Sequence, residues 1–316
     1  MSFTIKKFTF KSMYLVYPVL VVLLVASEII APGFLSPNHL ESVLRTSAFL
    51  GIAAIGQTFV ILNGGIDLSI GAAISLGNLM GAQLMNSSDA NVLTAVVFVL
   101  LMGLVSGFLN GLGTYFFRIP PLVMTLGMAG ILNGASLLYS NGAPKGATAP
   151  IIQFVSTGRI GDVIPIIILI WVILSATVII LLRYTVFGRS LYILGTNATV
   201  ARYSGIKISV MTLSVYMISS VMAAITGFLL VGYTGTSFLN IGDSYTLNTI
   251  AAVVVGGTLI TGGSGSYLGT VMGSIIMTII YGLVMIIHLP ESGRLIILGL
   301  IIILLVLIYG RNRATR

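Results

Sequence analysis

Residues 51–71 read GIAAIGQTFVILNGGIDLSIG, an apolar run that contains a single carboxylate, Asp67. A charge at membrane depth costs about 3 kcal/mol or more, so it is kept for a purpose. Gly64 and Gly65 give the backbone the freedom to break a helix. Asn63, Asp67 and Ser69 supply polar atoms that can satisfy the freed backbone groups. The stretch therefore predicts a broken membrane helix, of the kind with which transport proteins line a pathway.

The composition is that of an integral membrane protein. Hydrophobic residues make up 57% of the chain, charged residues make up 7%, and the mean hydropathy is +1.12. A soluble domain has about 25% charged residues. Runs rich in Ile, Leu, Val and Met favour helices over barrel strands, and the absence of cysteine excludes disulfides and thiolate sites. We therefore expect an all-α, polytopic inner-membrane protein in which residues 1–316 form one transmembrane domain.

The apolar runs predict about ten membrane-spanning helices, since each crossing needs about 20 residues. The predicted spans are residues 14–30, 45–63, 68–85, 92–116, 121–139, 164–182, 210–231, 247–260, 268–287 and 295–309. The first follows three lysines but no small-residue cleavage site follows it, so we expect an uncleaved span. The break at Gly64 could turn the second and third spans into half-helices, and the short eighth span precedes TGGSGS at 261–266.

The basic residues predict that both termini are cytoplasmic, because Lys and Arg are enriched in cytoplasmic loops. This orientation places the N-terminal segment 1–12, the loop 183–209 and the tail 310–316 inside. The basic residues on that side are Lys6, Lys7, Lys11, Arg118, Arg183, Arg189, Arg202, Lys207, Arg311, Arg313 and Arg316. The charged residues on the outer side are Arg45, Lys145, Arg159, Arg294, Glu28, Glu41, Asp89, Asp162, Asp243 and Glu291. The net charge of +8 is then a property of the inner face and not of a nucleic-acid-binding patch.

The sequence argues against an enzyme. The two histidines, His39 and His288, lie far apart, so they predict neither a general base nor a metal site. The chain contains no GxxxxGK[ST] motif with which to bind ATP. The glycine-rich stretch 256–269 lacks the lysine of such a motif and joins two apolar runs, so it predicts a tight turn between helices.

The loop 183–209 contains a predicted short helix at residues 196–203. Asn197 or Thr196 can cap its N-terminus, and Gly205 can end it. We expect this helix to lie along the cytoplasmic face. The basic residues of the loop could alternatively serve only as topology determinants and lipid headgroup contacts.

Four segments together resemble the permease subunits of ATP-binding cassette sugar importers of the ribose type. They are GGIDLSIG at 64–71, RIPPLVMTLGMAGILNGAS at 118–136, the pattern FGR…G.N…A…SGI from 187 to 206, and IAAVVVGGTLITGGSGSYLGT at 250–270. The resemblance runs from about residue 40 to residue 308, with the segments in family order. It implies import of a monosaccharide or sugar-like solute, such as a pentose, a hexose or the autoinducer-2 signal.

The resemblance also implies the partners. They are a second permease copy or a paralogue, cytoplasmic ATPase subunits that bind ATP and Mg, and a periplasmic or surface-tethered sugar-binding protein. The permeases of the pair would resemble the vitamin B12 importer fold, and this chain itself would bind no cofactor or metal. In the family a coupling helix after the sixth span contacts the ATPase, and the matching positions here are Gly188, Arg189, Gly195, Asn197, Ala201, Ser204 and Gly205. Ala198 and Thr199 replace residues that are often acidic in relatives, which leaves open which ATPase side chains pair with the loop.

The translocation pathway of a sugar should be lined by neutral hydrogen-bonding groups and aromatic rings. The candidates within or beside apolar spans are Phe49, Asn63, Asn78, Asn133, Tyr245 and Asn248. Each amide could instead clamp a neighbouring helix, and each ring could pack in the interior. Asp67 could likewise anchor the broken segment or touch the substrate.

An ATP-independent secondary transporter or channel for a small polar solute is the alternative function. Ion-coupled carriers generally need several ionisable groups inside the membrane. At membrane depth this chain offers Asp67 alone for that purpose, which counts against the alternative.

Overall fold

The computed structural model describes residues 8–161 and 163–286, together with residues 293, 296, 299 and 300. Helices dominate this part of the chain, which confirms the all-α prediction. They are α1 (Phe8–Ile30), α2 (Pro37–Leu62), α3 (Ile70–Met85), α4 (Val92–Tyr115), α5 (Pro121–Ser140), α6 (Pro150–Thr157), α7 (Ile166–Tyr184), α8 (Val186–Thr196), α9 (Ala198–Tyr203), α10 (Ile208–Thr234), α11 (Asp243–Val255) and α12 (Tyr267–Ile286). Two short strands, β1 (Arg159–Ile160) and β2 (Ile164–Pro165), pair antiparallel between α6 and α7.

Six helices in the described part of the chain are long and apolar enough to cross a membrane: α2, α4, α5, α7, α10 and α12. The apolar part of α1 and the whole of α3 are shorter. This finding supports a polytopic membrane protein, and the count of about ten crossings stays a prediction. The tenth predicted span, the tail 310–316 and residues 1–7 of the N-terminal segment lie outside the described helices or are described only at isolated positions.

The core is built around α10, which packs against α2, α3 and α4. Buried residues occur on every side of α2 and over most of α10, as expected for helices enclosed by other helices. Two glycines allow the close approach that this packing needs. A Cβ on Gly56 would lie 2.9 Å from the Ser219 carbonyl oxygen, and one on Gly107 would lie 2.6 Å from the Met217 Cα.

The two ends of α2 have different surroundings. Near its start, the Glu41 carboxylate lies 2.7 Å from the Arg45 guanidinium and 3.1 Å from that of Arg159. At its end, the Leu62 carbonyl accepts a hydrogen bond from Gly263. About 25 Å of helix separate Arg45 from Leu62, at 1.5 Å per residue.

Several predicted element boundaries are wrong, and α2, for example, begins at Pro37 and not at residue 45. The predicted eighth span extends to residue 260, whereas α11 ends at Val255, and Gly257 follows with a φ of +86° that a helix cannot contain. The loop 183–209 is mostly helical, because α8 precedes the predicted short helix. In α8, Thr185 caps the first turn by accepting a hydrogen bond from the Gly188 amide at 3.2 Å.

Three helices meet at Trp171, the one tryptophan of the chain. Its Nε1 donates a hydrogen bond to the Tyr267 hydroxyl at 3.1 Å, and that hydroxyl donates to the Gly51 carbonyl at 2.9 Å. The indole packs directly against Gly51, where a larger residue would have no room. The contact joins α7, the start of α12 and the middle of α2.

Candidate functional site

The predicted break is confirmed as an irregular segment at residues 63–69, between α2 and α3. Gly64 adopts a φ of +88°, which turns the chain out of the helix. The amides of Gly64 and Gly65 donate to the carbonyls of Ile61 and Val60 at 2.9 and 3.0 Å. The carbonyls at the end of α2 therefore satisfy the two glycine amides. The sequence had instead suggested that the Asp67 carboxylate does so.

Asp67 lies at the centre of a buried polar cluster and is 0% exposed. One carboxylate oxygen accepts hydrogen bonds from the Ser69 amide at 2.8 Å and from the Ser69 hydroxyl at 2.5 Å. The other accepts from the Ser219 hydroxyl on α10 at 2.7 Å. The Asn110 side chain on α4 donates to the Ser69 hydroxyl at 3.0 Å. We call Asp67, Ser69, Asn110 and Ser219 the Asp67 cluster, and it joins the break to both α4 and α10.

Thr125 connects the same break to the start of α5. Its hydroxyl accepts a hydrogen bond from the Leu68 amide at 3.0 Å. The same oxygen lies 3.1 Å from the Ile66 carbonyl and 2.9 Å from the Pro121 carbonyl. Both irregular residues that flank Asp67 are thus held by one side chain.

A second irregular segment, residues 256–266 between α11 and α12, is here called the glycine turn. It is confirmed as a turn between helices, with positive φ angles at Gly257, Gly262, Gly263 and Gly265. The Leu259 amide donates to the Ser264 carbonyl at 2.9 Å, which closes the turn on itself. It lies against the end of α2 and the last turn of α8.

The predicted short helix in the loop 183–209 is confirmed as α9. The Asn197 side chain caps it by accepting hydrogen bonds from the amides of Thr199 and Val200 at 2.9 and 3.1 Å. Gly205 ends it with a φ of +76°, and its amide donates to the Arg202 carbonyl at 3.1 Å. We call α8 and α9 with their flanking residues 185–207 the coupling segment, after the role that the family resemblance implies for them.

The predicted coupling residues differ in exposure. Arg189, Asn197, Ser204 and Gly205 are exposed, Gly188 and Ala201 are buried, and Gly195 is half-buried. Tyr192 faces inward, where burial raises the pKa of its hydroxyl to about 12. The hydroxyl donates to the Gly265 carbonyl at 3.0 Å, so it remains a protonated donor at physiological pH.

The six pathway candidates lie on several elements, and the structure gives them different surroundings. Asn78 is a helix clamp, because it donates to the Gly227 carbonyl at 3.3 Å and accepts from the Phe238 amide at 2.9 Å. The buried Phe49 ring lies 5.3 Å from the Tyr233 ring. The others divide by exposure into the buried Asn248, the half-buried Asn63 and Tyr245, and the exposed Asn133 on α5.

Sequence reasoning did not connect three side chains to these networks. Ser219 is 152 residues from Asp67, Asn110 is 41 residues from Ser69, and Thr125 is 59 residues from Ile66. Serine and threonine are common in membrane helices, and only the three-dimensional packing separates these from the others. Asn110 carried a signal, because an amide in an apolar run must find a partner.

Comparisons with known proteins agree with the resemblance drawn from the motifs. Residues 39–306 match the family described as branched-chain amino acid transport system / permease component. The ribose import permease protein RbsC of Bacillus subtilis (strain 168) is 32% identical over 300 residues, covering 93% of this chain and 92% of that protein. RbsC of Escherichia coli (strain K12) is 31% identical over 299 residues, with the same coverage.

The inner membrane ABC transporter permease protein YjfF of Escherichia coli (strain K12) is 35% identical over 257 residues, covering 79% of this chain and 76% of that protein. No solved structure matches the chain. The matched region contains the break, the coupling segment and the glycine turn. The chain therefore belongs to the family described as branched-chain amino acid transport system / permease component, and it is similar to the ribose import permeases over 93% of its length.

Proposed function

We propose that this chain is the membrane-spanning permease subunit of an ATP-driven, binding-protein-dependent importer of a monosaccharide or sugar-like solute. The observation that carries the proposal is similarity over 93% of the chain to proteins named ribose import permeases. The sequence lacks a phosphate-binding loop, so ATP and Mg would be bound by a separate ATPase.

The ATPase would dock on the coupling segment. Arg189 and Ser204 are exposed there, on helices whose ends are fixed by the caps at Thr185 and Asn197. A groove of about 380 Å³ lies beside them and is lined by Val186, Ser190, Ser204, Gly205, Ile206, Lys207, Val210 and Met211. Rigid helices with an adjacent groove can both present contact residues and receive those of a partner.

The proposed arrangement in the membrane has ten crossings, both termini cytoplasmic, and a fold resembling the vitamin B12 importer permease. The charge distribution supports the orientation. Glu41, Arg45 and Arg159 form ion pairs at one end of α2, and the coupling segment lies at the other. The first group would face outward, towards the binding protein, and the second would face the ATPase.

The pathway would run along α5, between this chain and a second permease. The packed interior surrounds Phe49 and Asn78 with protein atoms, whereas Asn133 is exposed in the second half of α5. An amide exposed to lipid is unfavourable, so Asn133 is better placed against a partner or a hydrated passage. Two copies of this chain, or this chain and a paralogue, would both satisfy that requirement.

Uptake into vesicles that contain permease, ATPase and binding protein tests the energy source. Replacement of the phosphate-loop lysine in the ATPase should abolish uptake, because the permease has no nucleotide site of its own. Uptake that survives this replacement and is abolished by a protonophore would instead establish an ion-coupled carrier.

Two variants test the docking site. Arg189→Glu reverses an exposed charge of the coupling segment, and Gly205→Trp adds a large side chain at the end of α9. Both should weaken recovery of the ATPase with the purified permease while the permease remains folded. Gly142→Trp is the matched control, since Gly142 also has a positive φ and open surroundings but lies in the segment after α5. Normal recovery and uptake in both test variants would contradict docking at this segment.

A further inference from the structure

We propose that the glycine turn is a mechanical link that carries movements of α8 to the break and from there to the Asp67 cluster. The link rests on the proposed docking of an ATPase at the coupling segment. It assigns a positioning role to a segment that the sequence identified only as a connection between two helices.

The first step of the link is a bond between backbones. The Gly263 amide donates to the Leu62 carbonyl at 2.9 Å, which joins the glycine turn to the last residue of α2. That carbonyl is one of those left without a partner when a helix ends. The break and the glycine turn, about 200 residues apart in sequence, therefore share a hydrogen bond that a helix end needs.

The second step joins α8 to the same turn. The Tyr192 hydroxyl donates to the Gly265 carbonyl at 3.0 Å, and the Thr196 hydroxyl lies 3.4 Å from the Gly263 carbonyl. At Gly195 the two segments pack so closely that an added Cβ would meet both the Leu62 carbonyl and the Gly263 amide. A shift of the last turn of α8 must therefore displace the glycine turn, the end of α2, or both.

Gly262 lies between the backbone of the break and the backbone of the last turn of α8. An added Cβ would lie 2.8 Å from the Gly64 amide nitrogen and 3.1 Å from the Gly195 carbonyl oxygen. These contacts are between backbones, with no flexible side chain to absorb a displacement. Closely packed interiors transmit strain, so the contact can act as a rigid spacer.

The third step runs along three residues of the chain. Asp67 lies three residues after Gly64, and its carboxylate accepts hydrogen bonds from Ser69 and from Ser219 on α10. Asn110 on α4 donates a hydrogen bond to Ser69. A displacement at Gly64 thus reaches α4 and α10, the helices at the centre of the core, through hydrogen bonds that change together. Movement at the docking surface would in this way alter the packing of the membrane-spanning helices.

Hydrogen exchange of the permease alone, in lipid nanodiscs, tests the link without an ATPase. Tyr192→Phe removes the hydroxyl but keeps the ring, so this variant should fold. We expect exchange in residues 63–69 to rise about fivefold, the factor associated with one hydrogen bond. Gly142→Ala, a substitution at a position with no neighbour within 4 Å, should leave that segment unchanged. Unchanged exchange at 63–69 in Tyr192→Phe would overturn the link.

Transport by the assembled importer provides the second measurement. Gly262→Ala should leave recovery of the ATPase within about twofold of the wild type. The solute taken up per ATP hydrolysed should fall about fivefold or more, because the added methyl group overpacks the contact between the glycine turn and the break. A folded Gly262→Ala permease with normal uptake per ATP would refute the link. Altered exchange in Tyr192→Phe together with ATPase binding at a different place on the chain would leave the link standing and remove only the docking proposal.

Discussion

The break and the glycine turn have similar sequences but are held in different ways. LNGGIDLSIG at 62–71 and ITGGSGSYLG at 260–269 both contain a pair of glycines, then five further residues, and then a glycine in the first turn of a helix. In the break, the side chain of Asp67 collects the hydrogen bonds. In the turn the corresponding residue is Gly265, with a φ of +151° and the Thr258 side chain packed against it.

The difference shows two solutions to one physical requirement. A chain that leaves a helix inside a membrane protein must still satisfy its backbone groups. The break does so with a carboxyl group and hydroxyls, which places an ionisable side chain in the interior. The glycine turn does so with backbone conformations that other residues avoid, and it leaves no space for side chains. The first solution should be sensitive to loss of polar atoms, and the second to added carbon atoms.

Removal of the carboxylate should have the largest effect. Asp67→Leu deprives Ser69 and Ser219 of their acceptor and should lower the free energy of unfolding by about 3 kcal/mol or more. Asp67→Asn retains an acceptor oxygen and should be intermediate. Thermal stability in detergent and transport should fall together in both variants. Transport lost in Asp67→Asn at unchanged stability would show instead that Asp67 contacts the substrate or takes part in proton transfer. An Asp67→Leu variant of wild-type stability would refute the proposal that Asp67 anchors the break.

An added methyl group tests the second solution. In α12, a Cβ on Gly269 would overlap the Gly256 carbonyl at the start of the glycine turn. Gly269→Ala should therefore cost about 1 to 3 kcal/mol, as overpacking does elsewhere. Gly282→Ala lies on the same helix with no neighbour within 4 Å, and should be as stable as the wild type or slightly more stable. Equal melting temperatures for the two variants would show that the close contact carries no stability.

Loss of one hydroxyl sharpens the account of the break. Ser219→Ala removes one of the hydrogen bonds to the Asp67 carboxylate and should cost about 1 to 2 kcal/mol. The neighbouring Ser220 is buried, and its hydroxyl has no hydrogen-bond partner in the described part of the chain. Ser220→Ala should therefore be close to neutral. Chemical denaturation in mixed micelles can compare the two, and a larger loss at Ser220 would contradict the assigned network.

Loss of the partly exposed charge of Glu41, near the start of α2, should have the smallest effect on stability. Glu41→Gln weakens the ion pairs to Arg45 and Arg159, which are partly exposed to solvent, and should cost less than about 1 kcal/mol. High salt should reduce the difference further, because it screens exposed charges. A salt-independent loss as large as that of Asp67→Leu would show that burial does not distinguish the two carboxylates.

The sequence predicted features whose causes lie close together along the chain. The break follows from Gly64 and Asp67, and α9 follows from the cap at Asn197 and the glycine at 205. The helix α8 was missed because Gly188 and Gly195 weaken its pattern, although tertiary packing requires both glycines.

The partners of Asp67 were beyond prediction, because hydroxyl groups gain a role only from the residues that folding brings to them. The contact of the glycine turn with Leu62 was hidden for a related reason. It is made by backbone atoms, which every residue possesses. Four of the six pathway candidates are likewise asparagines, and only packing separates the clamp at Asn78 from the exposed amide at Asn133.

The single tryptophan gives the protein a built-in optical reporter. Trp171 is hydrogen-bonded to Tyr267, the residue that directly follows the glycine turn, and through it to Gly51 on α2. Indole emission shifts in wavelength when its hydrogen bond or its contact with water changes. Excitation of this chain therefore reports on one location, next to the segment proposed to move, without any attached dye. The chain also lacks cysteine, so a quencher placed at one engineered thiol would add a distance to that signal.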